Sequence, residues 1–265
     1  MELSSPNREA AAPSDEAVAA RAAPERTTGD APAEAPRALA LGLSVIIPAY
    51  NEHRTIAEVV RRVLAQPAVA EVLVVDDGSS DGTADAMRAG AFPPSVRLLE
   101  HAQNRGKGAA IRTGIASATQ GIIIIQDADF EYDPSDYPLV LQPILDGQAD
   151  VVYGSRFLTP RPYAFWLDLA NRCLTLATNL LYGSHLTDME TCYKAFRAEI
   201  LKGIDIHSDR FDFEPEITAK VLRQRCRIIE VPIHYERRGY SSGKKIRLRD
   251  AFYAISALLR YRFRD

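Results

Sequence analysis

The chain is 265 residues long, 46% hydrophobic, 25% charged and 8% aromatic, with a formal net charge of -3 and a pI near 6.0. That is enough apolar material for one ordinary core or at most two small ones, and it excludes collagen, a disulfide scaffold and wholesale disorder. The slightly acidic balance argues against a surface coated in basic residues for nonspecific nucleic-acid binding.

Residues 1–40 are dominated by Ala, Pro, Glu, Arg and Ser and hold no aromatic residue. Such a segment buries too little surface to offset its ordering entropy, so a disordered tail is expected. Its opening, MELSSPNRE, has early charge and no apolar h-region, unlike a secretory signal. From Leu43 the texture changes. LSVII (43–47), EVLVV (71–75), VRLLE (96–100), GIIIIQ (121–126) and DVVYG (150–154) read as strands covered on both faces. Between them, 55–66, 82–89 and 108–119 carry helix-period apolar positions. This alternation predicts an α/β fold, a mostly parallel sheet flanked by helices, whose ligands lie beyond the carboxyl ends of the strands. After about residue 155 the alternation stops. An amphipathic stretch (163–182), a mixed segment, a strand-like RIIEVPIHY (227–235), a loop with Gly239 and Gly243 and a basic helix (248–264) read as a cap completing the site. The expected division is a tail (1–40) and one domain (41–265), with 41–155 and 156–265 as its halves.

No stretch reaches the roughly 18–20 apolar residues of a spanning helix, so a chain that does not cross a membrane is expected. Cys173, Cys192 and Cys226 fit neither CxxC nor a zinc spacing and read as packing residues of a reduced, cytoplasmic protein.

Three loops follow strands: PAYNE, DDGSSDGT and DAD. Asp127 and Asp129, directly after four isoleucines, can converge on a hard cation, with Glu131 as a third oxygen ligand. Asp133 before Pro134 supplies the helix cap independently, which leaves the first two carboxylates without a structural task. Asp76 and Asp77 are adjacent carboxylates that repel unless they meet donors such as a ribose hydroxyl or a base N–H. NRGKG (104–108) misses both the GxGxxG and the Walker A patterns. Arg156, Lys194, Arg237, Arg238, Lys244 and Lys245 stand beside Gly, aromatic or strand residues rather than in a helix stripe, as loop cations for phosphate do. The five histidines show no paired spacing and no GxSxG elbow occurs.

Taken together, LSVIIPAYNE, VVDDGSSDGT, NRGKGAAIRTG, DAD, GSRF, DMETCYKAF, RFDFEPEITAK and EVPIHYERRGYSSGKK resemble the family 2 glycosyltransferases of GT-A fold, nearest the dolichyl- or polyprenyl-phosphate mannose synthase branch. The resemblance covers about residue 41 to the end. It implies that Pro48, Tyr50, Glu52, Asp76, Asp77, Lys107, Asp127, Ala128 and Asp129 hold the nucleotide sugar. It also implies that Asp127, Asp129 and Glu131 hold Mg2+ or Mn2+, the family often having Gln at position 131. Arg156, Lys194, Arg238 and Lys244 would grip donor and acceptor phosphates, with Asp129, Arg156 and Arg238 as the catalytic set.

The implied reaction is inverting, metal-dependent transfer of a hexose, mannose from GDP-mannose, to a polyprenyl or dolichyl monophosphate at a membrane surface. The alternatives are a UDP-sugar such as UDP-glucose as donor, or a saccharide or metabolite hydroxyl as acceptor with Asp188, Asp212 or Glu214 as base. A non-catalytic nucleotide-sugar or lipid-phosphate binding module is the reading of another class, and the intact DAD argues against it.

Overall fold

Short runs of β-branched residues build the sheet. The computed structural model describes residues 41–160, 165–237 and 248–263. The expected tail over 1–40 and the loop bearing Arg238, Lys244 and Lys245 lie outside the described residues. In chain order the first half gives β1 (Leu43–Ala49), α1 (Ile56–Leu64), β2 (Val69–Asp76), α2 (Thr83–Ala89), β3 (Val96–Glu100), α3 (Lys107–Ser117), β4 (Ile122–Ile125), α4 (Tyr137–Leu145) and β5 (Val151–Ser155). The second gives α5 (Phe165–Tyr182), β6 (Lys194–Arg197), α6 (Ala198–Lys202), α7 (Phe213–Arg223), β7 (Ile228–Pro232) and α8 (Leu248–Phe263).

The seven strands run in the order β3-β2-β1-β4-β6-β5-β7. All pairings are parallel except those of β6, which is antiparallel to both β4 and β5. The four isoleucines of β4 are all buried, as a central strand with both faces covered requires. On α1, Ile56, Val59, Val60 and Val63 are buried and form the stripe that packs inward. From β1 the chain winds outward through β2 and β3, then crosses back to β4 on the other side of β1, so the loops after β1 and β4 part at a topological switch point. The Thr55 hydroxyl, 2.8 Å from the Ala128 carbonyl oxygen, spans it.

The second half does more than cover the site. It inserts β6 and β7 into the sheet, and Lys194, expected on a loop, begins β6 and is fully buried. Asp81, just ahead of α2, accepts from the Thr83 backbone N–H (3.0 Å) while Gly82 takes a left-handed φ of 90°. Asp133 caps as expected, accepting from Ser135 N–H at 2.9 Å. Among the described residues no helix is long and apolar enough to cross a membrane.

The glycines of NRGKG serve packing. Gly106 has φ +103°, and a Cβ there would come within 2.2 Å of the Asp209 carbonyl oxygen. Gly106→Ala is therefore expected to lower stability by about 1–3 kcal/mol in urea denaturation. Gly147→Ala, also at positive φ (+71°) but with open space around it, should cost less.

Candidate active site at the carboxyl ends of the strands

The loop after β1 is tied to the loop after β2. Asn51, at φ 56°, accepts from Ser80 N–H through its side chain (3.0 Å), and its own N–H donates to the Ser79 hydroxyl (2.9 Å). Ser79 in turn donates to Asp76. Asp77 has its oxygens met from within the chain: the N–H groups of Arg105 (2.9 Å) and Gly106 (2.7 Å) donate to it, and His101 Nδ1 lies 2.7 Å away. The donors that adjacent carboxylates demand thus come, for Asp77, from the 101–106 segment rather than from a ligand. Pro48, next to last in β1, is half-buried, Tyr50 is exposed beyond the strand, and Glu52 reaches the same place through Thr55, whose hydroxyl is 2.9 Å from Glu52 Oε2.

After β4, Asp127 and Asp129 are both buried. Lys107 Nζ is 2.8 Å from Asp127 Oδ1 and 3.7 Å from Glu214 Oε1. Burial opposes the Lys107 charge, but Asp127, then Cys192 and Glu214, hold its pKa well above the ordinary lysine value. Gln126, fully buried, accepts from the hydroxyls of Tyr137 (2.9 Å) and Tyr193 (2.6 Å) and donates to the Asp127 carbonyl (3.1 Å), fixing the backbone that carries the acids.

The expected three-carboxylate metal site is not assembled. Among the described residues no group of three His, Cys, Asp or Glu side chains is placed to hold a metal ion. The reason is local. Glu131 N–H folds back onto Asp129 Oδ1 (3.1 Å), and Tyr132 then bridges Tyr235, so Glu131 faces that segment and accepts from the Tyr235 hydroxyl at 3.1 Å. Asp127 and Asp129 alone remain a fitting donor set for Mg2+ or Mn2+, because Mg2+ is commonly held by one or two carboxylates plus substrate phosphates.

Two of the expected phosphate-gripping cations are committed to carboxylates. Arg156, 8% exposed, makes a bidentate pair with fully buried Asp188 (Nε to Oδ2 and Nη2 to Oδ1, both 2.7 Å), and its N–H adds a third bond at 3.0 Å. The loop carrying Asp188 is held in turn by Glu230 of β7, which accepts from Thr187 and Asp188 N–H at 2.7 and 3.0 Å. Lys194 donates to Glu214 and to the Thr191 carbonyl from a wholly buried position. Asp188 and Glu214 are thus already neutralised by partners. Asp212 stands at the start of α7, accepting from Arg210 N–H at 3.2 Å.

The residue that the sequence did not single out is Glu190. Its Oε1 and that of Glu214 are the buried side-chain oxygens without a hydrogen-bond partner among the described residues. Burial, and next the charge of Glu214, push the Glu190 carboxyl up to about 7, against the pull of Lys194 and Arg156. Nothing in DMETCYK marks it, because groups acting on it come from the residue after β5, from β6 and from α7. Of the cysteines, Cys192 is buried with its thiol pushed well up by burial, Cys226 is half-buried, and Cys173, expected in the packing, is exposed on α5.

Arg156→Ala leaves the Asp188 charge buried alone and is expected to destabilise by about 3–5 kcal/mol, read as a lowered denaturation midpoint. For Glu190 the sign is opposite to that of a salt-bridged acid. Its folded-state pKa lies above the unfolded 4.5, so it binds its proton more tightly when folded and costs stability as pH rises from about 4.5 to 7. The stability advantage of Glu190→Gln over the wild type should grow across that window and then level off. A difference independent of pH would show that Glu190 titrates normally.

The sequence model of "Glycosyl transferase family 2" matches residues 44–205. The undecaprenyl-phosphate mannosyltransferase of Micrococcus luteus is 32% identical over 209 residues, covering 75% of this chain and 85% of the relative. The polyprenol monophosphomannose synthase of Mycolicibacterium smegmatis is 29% identical over 226 residues, covering 80% and 84%. Glucosyl-3-phosphoglycerate synthase from Mycobacterium tuberculosis, solved with Mn2+, UDP and phosphoglyceric acid, matches with TM-score 0.67 at 19% identity, over 86% of this chain and 80% of that one, a likeness of fold. The sheet order, the acidic loops at its switch point and a family match over more than half the length agree: the chain is a GT-A-fold enzyme of glycosyl transferase family 2.

Proposed function

We propose that this glycosyltransferase moves a hexose from a nucleotide sugar to a polyprenyl or dolichyl monophosphate with inversion at the anomeric carbon, the donor being GDP-mannose and the setting the cytoplasmic face of a membrane. The observation that carries the reading is the state of the carboxylates. Asp188 and Glu214, two of the three expected bases for a hydroxyl acceptor, are bound by Arg156 and Lys194. A lipid monophosphate has a second pKa near 6 and arrives already ionised, so it needs cations to place it rather than a base. Two of the similar proteins above carry names of polyprenyl-phosphate mannose transfer, which supports the same acceptor class.

In this reading the loops bearing Pro48, Tyr50, Glu52, Asp76 and Asp77 frame the nucleoside, with Asp77 acting through the 101–106 segment it holds. A bound Mg2+ or Mn2+ would neutralise the departing nucleoside diphosphate, held by Asp127 and Asp129. Lys107 sets a fixed positive charge beside Asp127, where the diphosphate and Ala128 meet. Arg156 and Lys194 are positioning residues: one holds Asp188 and its loop, the other Glu214. Arg238 and Lys244 are left to bind the acceptor phosphate.

A second reading has one observation in its favour. Glu190, with its carboxyl pushed up to about 7, has the pKa of a general base for a hydroxyl acceptor, and a UDP-sugar donor has the UDP-bound structural neighbour on its side. The test is a donor panel with membrane lipid extract and Mg2+ or Mn2+, scored for radiolabelled sugar entering the organic phase. Label from GDP-mannose is expected there. Asp129→Asn should reduce transfer at least about a hundredfold, and Glu190→Gln should change it little. Label confined to water-soluble product and abolished by Glu190→Gln would replace the lipid-phosphate acceptor with a hydroxyl.

A further inference from the structure

Two neighbouring helices of the second half leave apolar stripes uncovered. On α5, Leu169, Leu176 and Leu180 are 39%, 58% and 78% exposed, and their spacing of seven and four residues puts them on one face. On α8, Ile255, Leu259 and Phe263 are 42%, 45% and 77% exposed and recur every four residues. These helices do not lack a core. Leu174 of α5 and Ala254, Ala257, Leu258 and Tyr261 of α8 are already buried together in a small cluster with Met189 and Ala219. The stripes are the faces left over once that packing is complete.

The two helices are joined at their carboxyl ends. The Tyr182 hydroxyl donates to the Leu258 carbonyl (2.6 Å), and Arg262 Nε to the Leu181 carbonyl (2.9 Å). Leu180 and Phe263, the two most exposed large apolar side chains among the described residues, therefore stand at the same end of the pair. Charge there has one sign. Among the described side chains of α5 and α8 the exposed charges are Arg172, Arg260 and Arg262, while the carboxylate Asp168 is fully buried and accepts from Arg237 at 3.0 Å. At the other end Arg172 lies 5.0 Å from the Phe157 ring, beside exposed Leu158 and next in the chain to Arg156. The apolar face thus begins where the active site ends.

Leucines and a phenylalanine bordered by arginines, with no exposed acid among the described side chains of the two helices, complement a surface of anionic headgroups over an apolar interior, into which arginine stems can lie while their charged heads stay wet. We propose that the α5–α8 pair is a docking surface for an anionic lipid bilayer, with Leu180 and Phe263 entering the acyl region. The choice of a bilayer over a protein partner rests on the lipid-phosphate acceptor proposed above.

The test is sedimentation of the full chain with vesicles of phosphatidylcholine, with and without phosphatidylglycerol, alongside transfer to a water-soluble short-chain prenyl phosphate. The wild type should bind the anionic vesicles better than the neutral ones. Leu180→Glu with Phe263→Glu should weaken that binding at least about tenfold, with an unchanged melting profile and undiminished transfer to the soluble acceptor. Leu139→Glu, at a 50% exposed leucine on α4, should leave vesicle binding as it is. Equal vesicle binding by the double variant and the wild type would overturn the proposal. So would a wild-type dimer that the double variant converts to monomer, since the face would then cover a second copy. Loss of vesicle binding in the double variant, with no prenyl phosphate accepted by either protein, would keep the docking surface and remove the lipid-phosphate acceptor.

Discussion

Charges carried inside the carboxyl end of the sheet have to be paired, and the pairing fixes which segments meet. Lys194 opens β6 and binds Glu214 at the start of α7, Lys107 opens α3 and meets Asp127 beyond β4, and Arg156 follows β5 and clasps Asp188 in the loop before β6. An isolated charge in such surroundings costs several kcal/mol, so each pair forbids arrangements in which its two segments part. Buried pairs of this kind are weak evidence of stability. Their consequence here is register: three pairs draw five loops to one end of the sheet, and the active site is what those loops enclose.

A second, uncharged device works on the same residues. Gln126 occupies the last buried position before Asp127 and receives two tyrosine hydroxyls while donating to the next carbonyl. Tyr193 also stacks on Tyr132 (4.8 Å between ring centres), Tyr132 meets Tyr235 edge-on (5.2 Å), and Arg156 lies 5.3 Å from the Tyr235 ring. The aromatic rings therefore link the backbone of the acidic loop to the arginine of the opposite loop. Because every polar atom in this chain of contacts has a partner, a shift of one loop disturbs the others. Glu131 belongs to the same chain of contacts, its carboxylate accepting from the hydroxyl of Tyr235, whose ring meets Tyr132.

Most of the scaffold was legible because its signals are local. The strands of the first half carry short apolar runs, broken in β3 by Arg97, and the parallel order follows from helices falling between them. β6 was illegible for the converse reason. KAFR has a cation at each end, and the carboxylate that makes a buried lysine tolerable there, Glu214, comes twenty positions later. The same blindness governs the site. Asp127 and Asp129 declare themselves by following four isoleucines, but sequence could not show that Asp77 is consumed by the 101–106 segment, that Arg156 and Lys194 face carboxylates rather than phosphates, or that Glu190 Oε1 lacks a hydrogen-bond partner among the described residues. Residue types report what chemistry is on hand; which groups are already spent depends on contacts far apart in the chain.

The charge pattern of the whole sequence gains a sharper meaning from these pairs. Residues 41–155 hold fifteen acidic and eight basic side chains, and residues 156–265 hold thirteen and twenty. The interior does not follow that division. Lys107–Asp127 lies within the first half and Arg156–Asp188 and Lys194–Glu214 within the second, so these pairs consume three cations against three carboxylates, and Lys107 also reaches Glu214 across the halves at 3.7 Å. Glu190 is a fourth carboxylate among these groups, and burial first, then the charge of Glu214, push it up to about 7. Asp129 and Glu131 are buried on the same side. A buried carboxylate whose Oε1 has no hydrogen-bond partner among the described residues favours whatever supplies one, and for Glu190 that is a proton.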